Sequence, residues 1–292
     1  MRIRPAERSF WSIVALAGGV GAGAWVVFCC GAWVLWHEVA VHGPAGLVVP
    51  RLLPSLLLAV VLVVAVFVGG WSIIDQVGST RRLERFLERR RLPLGPVLTE
   101  AAAVAGLSGR VALVESSERF SCTLGILRPR VVVTKELLDT STPGELAAVL
   151  AHEAHHVRTA DPLKMVIARS LARSLFVLPV LGRLYERYLA GRELAADRKA
   201  IRSAGTAGLA GALLKTIAGP SGMDIGAAAA LGGEHALELR LSQLETGIEP
   251  AFGSLGRRTL YLSGAGALTL GGGMLTASLT LGPLVSQFCQ RM

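Results

Sequence analysis

Charge is scarce in this chain. Asp, Glu, Lys and Arg make up 17% of its 292 residues and hydrophobic residues 52%, where a soluble domain carries about 25% charged residues. With a mean hydropathy of +0.52, the composition excludes an ordinary soluble enzyme and fits a membrane protein. Cysteine is scarcer still, at four residues. Cys29 and Cys30 fall in an apolar run, Cys122 in a strand-like segment and Cys289 near the end of the chain. They form neither a metal signature nor a disulfide framework, which leaves apolar packing for each. Internal repeats are absent. Basic residues outnumber acidic ones, 30 to 21, for a net charge of +9. Histidine is rare, at six residues, yet three of the six fall within one five-residue stretch.

That stretch is His152-Glu153-Ala154-His155-His156, an H-E-x-x-H motif. On a helix His152 and His156 lie one turn apart on the same face, so both imidazoles can bind one zinc ion. Glu153 then stands beside the metal, where a carboxylate can take a proton from a water whose pKa zinc lowers towards about 7. The surrounding segment supports a helix. Thr142 is an N-cap, Pro143 occupies the first helical position, and Glu145 completes a capping box. Leu146, Val149, Leu150, Ala154 and Val157 follow as an apolar stripe. One Glu and three His inside so apolar a segment are costly to bury unless a metal satisfies them.

Such a site needs a third protein ligand. The candidate is Glu193, in Arg192-Glu193-Leu194-Ala195-Ala196-Asp197. Glu193 and Asp197 form an i, i+4 carboxylate pair, with Glu193 as ligand and Asp197 accepting the free ring N–H of a ligand histidine. The competing reading is a solvated face partnered by Arg192, Arg198 and Lys199. Upstream, Val97 to Gly106 predicts a helix, and Arg110 to Val114, Phe120 to Leu124 and Arg130 to Thr134 predict short strands. An edge strand beside the active-site helix would align a substrate backbone by β-addition. The pattern does not say which strand is the edge.

Four motifs fall in order: Cys122 to Thr134 (CTLGILRPRVVVT), Glu145 to Glu153 (ELAAVLAHE), Asp161-Pro162-Leu163, and Arg192 to Asp197. In order and spacing they resemble the membrane metallopeptidases of the BlaR/MecR antirepressor type, and more distantly the HtpX and CAAX-prenyl-protease group. The resemblance implies a gluzincin-like fold with Zn2+ held by His152, His156 and Glu193. It makes Glu153 the general base, with Asp161 and Asp197 as supporting acidic residues. Ala154 stands where the family usually has Leu. The penicillin-sensing domain that follows the last membrane helix of the antibiotic receptors is not in this sequence, which leaves substrate and signal unnamed. Glu234 to Leu241 resembles the prenyl-protease stretch whose His and Arg lie near the substrate carbonyl, but its spacing is one residue short. Arg240 is therefore a candidate oxyanion stabiliser, with a surface helix charge as the preferred reading.

Three uncharged stretches are long enough to cross a bilayer, which takes about 20 apolar residues: Phe10 to Trp36, Leu52 to Ile74 and Leu260 to Val285. Trp11, Trp33, Trp36, Trp71 and Tyr261 lie near their ends, as interfacial anchors do. Gly19, Gly23 and the Gly271-Gly272-Gly273 run can let helices approach, or are simply tolerated helix content. Arg2, Arg4 and Arg8 before an apolar run also fit a signal peptide, but the run continues to Trp36, which favours a retained anchor. Arg81, Arg82, Arg85, Arg89, Arg90 and Arg91 follow the second stretch, whereas the loop from His37 to Arg51 holds one Arg. The N-terminus and the following domain are expected in the cytoplasm and the Met292 tail outside. The basic run reads as a contact with anionic lipid, and no direct nucleic-acid partner is expected. Leu163 to Leu181 carries Lys164, Arg169, Arg173 and Pro179. A full crossing there would separate His152 from Glu193, so an interfacial or partly embedded element is expected.

The expected architecture is an α+β integral membrane protein, mostly helical, with three transmembrane helices and a gluzincin-like metalloprotease domain containing a small β-sheet. Residues 1–78 carry two spans (10–36 and 52–74). Residues 79–257 form the cytoplasmic zinc protease domain, with the amphipathic element at 163–181. Residues 258–292 form the third span and tail. The expected function is zinc endopeptidase action on a cytoplasmic or membrane protein, by resemblance a transcriptional repressor or the chain itself. Quality-control cleavage of membrane proteins is the first alternative. A non-catalytic zinc-containing sensor or scaffold is the second, and the intact Glu153 argues against it.

Overall fold

The computed structural model describes residues 5–43, 53–217 and 234–289. The end of the loop after the first apolar stretch (44–52), the Ala- and Gly-rich stretch 218–233 and the tail 290–292 lie outside the described residues. Nine helices and four strands follow in the described residues: α1 (Pro5–His42), α2 (Leu53–Glu88), β1 (Arg91–Leu92), α3 (Pro96–Val104), β2 (Val111–Val114), β3 (Ser121–Leu124), β4 (Arg130–Thr134), α4 (Lys135–Thr140), α5 (Pro143–Thr159), α6 (Asp161–Ser174), α7 (Pro179–Ile217), α8 (Glu234–Thr246) and α9 (Arg257–Cys289). The protein is mostly helical with a small mixed sheet. The chain divides into two compact units: residues 1–10, 73–167 and 186–253 form the first, and 11–72, 168–185 and 254–292 the second.

In the first unit the strands lie in the order β1-β2-β4-β3. β2 and β4 are parallel, while β1 and β3 are antiparallel to their neighbours. Alternation of side chains along each strand builds two apolar layers. On one face Val111, Leu113, Val131 and Val133 pack with Leu98 of α3 and with Leu146, Val149, Leu150, Ala154 and Val157, the stripe of α5. On the other, Val114, Phe120, Cys122 and Val132 pack with Leu87 near the end of α2. Burying Leu150 fully contributes about 1.5–3 kcal/mol relative to leaving it exposed. β1 and α4 carry too short a pattern to be predicted.

α5 starts at the expected capping box. The Thr142 side chain accepts from the Glu145 N–H and the Glu145 carboxylate accepts from the Thr142 N–H at 2.7 Å. It ends at Ala160, which among the described residues is the one non-glycine residue with a left-handed backbone (φ 52°), a conformation uncommon outside glycine and enriched near functional sites. That turn starts α6 at Asp161.

In the second unit, Ser174 Oγ donates to the Ala65 carbonyl at 2.8 Å, and the Val180 N–H donates to Ser263 Oγ at 2.8 Å. Gly266 permits the closest approach: a Cβ there would sit 2.1 Å from the Val177 carbonyl oxygen, so only glycine fits. A Cβ on Gly23 would make only an ordinary contact with Met274, and one on Gly19 or Gly271 to Gly273 would meet no described neighbour from another element within 4 Å. The outer face of α2 presents Phe67, Trp71 and Ile74, each more than 60% exposed, at the spacing of one helix face.

Two expectations change. Two helices, not three, meet the length and apolarity of a membrane crossing among the described residues: Pro5–Val26 and Leu56–Glu88. The stretch from Leu260 to Val285 is helical, as part of α9. Most side chains from residue 277 onward lie outside the described residues, so the crossing is not met within the part of the stretch that is described. The segment 163–181 is also not one element. α6 stops at Ser174 and α7 begins at Pro179, because proline lacks the N–H and its ring blocks a continuing helix. At 14 residues, α6 is about 21 Å long, short of a hydrocarbon core of about 30 Å.

Candidate metal centre

Four elements of the first unit bring polar side chains to one point. α5 supplies His152, Glu153 and His156 on its buried face, α6 contributes Asp161 at its first residue, α7 contributes Glu193 and Asp197, and α8 contributes Arg240. His152, His156 and Glu193 offer one ligand atom each, all within 4.8 Å of one another. His152 Nε2 lies 3.4 Å from one Glu193 oxygen and His156 Nε2 3.7 Å from the other.

The far side of each imidazole faces a carboxylate. His156 Nδ1 is 2.6 Å from Asp161 Oδ2, and His152 Nδ1 is 2.9 Å from Asp197 Oδ1. The second contact is close but poorly angled for a hydrogen bond. Both carboxylates favour a proton on Nδ1, which leaves the Nε2 lone pairs pointing inward. Yet the two Nε2 atoms are only 3.1 Å apart. Two lone pairs at that distance repel unless a proton or a metal ion lies between them. The donor set of two imidazole nitrogens and one carboxylate is also the catalytic zinc set, with a position left for water or substrate. The residues therefore fit a zinc ion.

Electrostatics agree. Burial, the largest influence, pulls the pKa of His152 down, but Asp197 and Glu193 together outweigh it and raise the group to about 10. A proton held there takes the place of the metal's charge. Burial likewise pushes the carboxyls of Asp161, Glu193 and Asp197 up, and is outweighed in each. His156 holds Asp161 down, Arg192 holds Glu193 well down, and Arg240 holds Asp197 down. Arg192 Nη2 approaches Glu193 at 3.0 Å. Arg240 grips Asp197 with two bonds, Nε to Oδ2 at 2.6 Å and Nη2 to Oδ1 at 2.8 Å, and its Nη1 is 3.7 Å from Glu193. These cations offset buried negative charge that would otherwise be costly.

Arg240 corrects the sequence reading. It is 7% exposed, not a surface helix charge, because α8 packs its Arg240 face onto α7, where Gln243 also donates to the Leu194 carbonyl. The solvated-face reading of Glu193 and Asp197 fails on burial: both are below 4% exposed. Arg198 pairs instead with Glu249.

Sequence reasoning missed three hydroxyl groups. Ser121 Oγ donates to Glu153 Oε1 at 2.9 Å and Thr123 Oγ1 to Glu153 Oε2 at 2.6 Å. The signal was the period-2 alternation of Ser121-Cys122-Thr123-Leu124, which puts both hydroxyls on one face. Tyr188 was missed as well; its hydroxyl lies 3.4 Å from Asp161 Oδ1.

Two outcomes are expected of metal binding. At pH 7 zinc must displace the proton that His152 retains up to about pH 10, so binding should release about one proton and weaken as pH falls. Calorimetry in buffers of differing ionisation enthalpy reads this directly, and heats independent of buffer would contradict it. Glu193→Ala should strip the zinc, whereas Asp197→Asn should weaken it by about 10–100-fold. Full zinc occupancy in Glu193→Ala would place the third ligand elsewhere, with Asp161 next.

Comparison with known proteins agrees with this geometry. The family described as BlaR1 peptidase M56 matches residues 46–244, which takes in the histidines, Glu153, Asp161, Glu193, Asp197 and Arg240. The chain is also similar to Protease HtpX of Escherichia coli O127:H6 (strain E2348/69 / EPEC), at 24% identity over 132 residues. That match covers 44% of this chain and 45% of the relative, so the chain spans less than half the length of the curated relative it matches. With more than half of its length matched by the family profile, and a histidine pair and glutamate converging as a metallopeptidase requires, the chain belongs to the BlaR1 peptidase M56 family.

Proposed function

We propose that this protein is a membrane zinc endopeptidase that cuts an extended segment of a cytoplasmic or membrane protein. The observation that carries the reading is the inward convergence of two Nε2 atoms and Glu193, with a second carboxylate, Glu153, held by two hydroxyls on the same helix as the histidines. One zinc ion held by His152, His156 and Glu193 would polarise the scissile carbonyl and acidify a water molecule. Glu153 takes the proton of the attacking water and returns it to the leaving amine. Asp161 and Asp197 hold the imidazoles in the tautomer that binds metal. Arg240 acts through Asp197 and Glu193, and two of its donors are committed there, which leaves it a charge-balancing role in preference to oxyanion stabilisation. A purely structural zinc site has no use for a carboxylate fixed in this way, which weighs against a non-catalytic scaffold.

Membership of the family makes a transcriptional repressor the substrate class of first choice. Residues 79–257 are proposed as the cytoplasmic protease domain, and the arginines at 81–91 as a contact with anionic lipid at the bilayer surface.

Glu153→Gln keeps the shape of the side chain and loses only proton acceptance. It should retain one zinc per chain and lose cleavage of unfolded β-casein by about 100-fold or more; undiminished cleavage by the variant would end the peptidase reading. Proteins that accumulate in cells carrying the variant identify the substrate. For topology, reporter fusions after Gly78 and after Gly205 should both read as cytoplasmic, because one metal site requires residues 152 and 193 on one side of the membrane. An external signal after Gly205 would dismantle the three-ligand site.

A further inference from the structure

The first residues of α1 belong to the unit that holds the metal centre: residues 1–10 group with 73–167 and 186–253, whereas 11–72 lie in the second unit. Helical spacing puts Ala6 and Phe10 on one side of α1, and both are buried. Ala6 lies on α7 at Gly191, where an added Cβ would stand 3.2 Å from the Ala6 nitrogen, Cα and Cβ. A methyl group at 191 would crowd that contact. Phe10 packs on the ring of Tyr188, also of α7, with centroids 5.6 Å apart and planes tilted by 45°. Glu7 pairs with Lys164 of α6 at 2.5 Å. The same ammonium lies 5.6 Å from the centre of the Phe10 ring, within range of a cation–π contact. Residues 6–10 thus tie α6 to α7.

Tyr188 carries this contact inward. It is 1% exposed, and a phenol so deeply buried needs an acceptor. The one it meets is Asp161 Oδ1, at 3.4 Å. Burial first, and the charge of Asp161 second, push the phenol well above its ordinary range, so it keeps its proton and donates. The other oxygen of the same carboxylate lies 2.6 Å from His156 Nδ1. The terminal torsion of an aspartate is soft, so a carboxylate fixed at one oxygen can swing, and the imidazole that it orients swings with it. Fixed at both oxygens, it presents a single direction.

We infer that Tyr188 and Phe10 are positioning residues of the metal centre: Phe10 seats the Tyr188 ring, the Tyr188 hydroxyl holds Asp161, and Asp161 sets the imidazole of His156. The inference rests on the zinc reading above. It adds to that reading that the start of the first apolar helix, far upstream of the histidines, is needed for full metal affinity. Neither residue touches the ion; both act through Asp161, as groups behind a metal ligand do.

The test uses the full-length protein and zinc alone, with affinity read by competition against a chromophoric chelator. Tyr188→Phe keeps the ring and removes only the hydroxyl. It should weaken zinc binding about three- to tenfold, as loss of one hydrogen bond does. It should also shift the visible spectrum of the Co2+-loaded protein, which reports how the ligands are oriented. Phe10→Ala should weaken binding to a similar degree, and Phe10→Leu, which refills most of the volume, should recover most of it. In an Asp161→Ala background, where zinc is already about 10–100-fold weaker, Tyr188→Phe should cost nothing further, because the hydroxyl has lost the group through which it acts. Wild-type affinity and spectrum in Tyr188→Phe overturn the role of the hydroxyl. An equal loss with Asp161 absent and present overturns the route through Asp161. Unaltered zinc binding in Phe10→Ala overturns the part given to α1. No zinc uptake by the wild type, or full occupancy in Glu193→Ala, instead overturns the metal reading itself.

Discussion

The site depends on a conflict that a metal ion resolves. Asp161 and Asp197 each lie within 3 Å of a ring nitrogen on one side of a histidine, and this turns the other nitrogen of each inward. The two inward nitrogens stand 3.1 Å apart, with Glu193 completing the cluster. Without a cation the arrangement concentrates lone pairs and negative charge in a buried space. Asp197 and Glu193 favour a proton on His152 strongly enough to raise that group to about 10 despite burial. A divalent ion held by His152, His156 and Glu193 would relieve the conflict further. Ion affinity is thus created by the carboxylates behind the histidines as much as by the ligands themselves.

Much of the surrounding structure keeps that arrangement from relaxing. The α5 capping box sets where the helix begins and so the rotation of its faces. Its apolar stripe docks on one layer of the sheet, which points His152, Glu153 and His156 together into the site. The left-handed turn at Ala160 brings Asp161 back to His156, five residues along the chain. From α7 come Glu193 and Asp197, one helical turn apart, each meeting a different part of the same histidine pair. Arg192 and Arg240 neutralise the carboxylates where water does not reach, and each bond made there would be expensive to leave half-formed.

The apolar helices obey a different logic. Low charge and high hydropathy make α1 and α2 long enough to cross a bilayer, and their exposed Trp, Phe and Val side chains suit lipid. Within the second unit two hydroxyls are matched to backbone groups, Ser174 to the Ala65 carbonyl and Ser263 to the Val180 N–H. A lipid environment requires this, because an unmet backbone group there has no water to turn to. The break between Ser174 and Pro179 divides the segment 163–181 between α6 and α7.

The sequence by itself determined the histidine pair, the glutamate beside it and the helix that carries them, since capping, periodicity and i, i+4 spacing are local properties written in consecutive residues. It also determined Glu193 and Asp197 as a pair, and the three short strands to within a residue, from alternation. Tertiary structure alone decided which strand is the edge, because strand order depends on contacts between segments distant in the chain. It decided that Arg240 is buried against Asp197 and not exposed on a helix surface, since one charged residue in an amphipathic segment reads the same in either setting. And it decided that Ser121 and Thr123 meet Glu153, some 30 residues away. A hydroxyl in a strand looks like solvent-facing polarity until the helix packed against it is known.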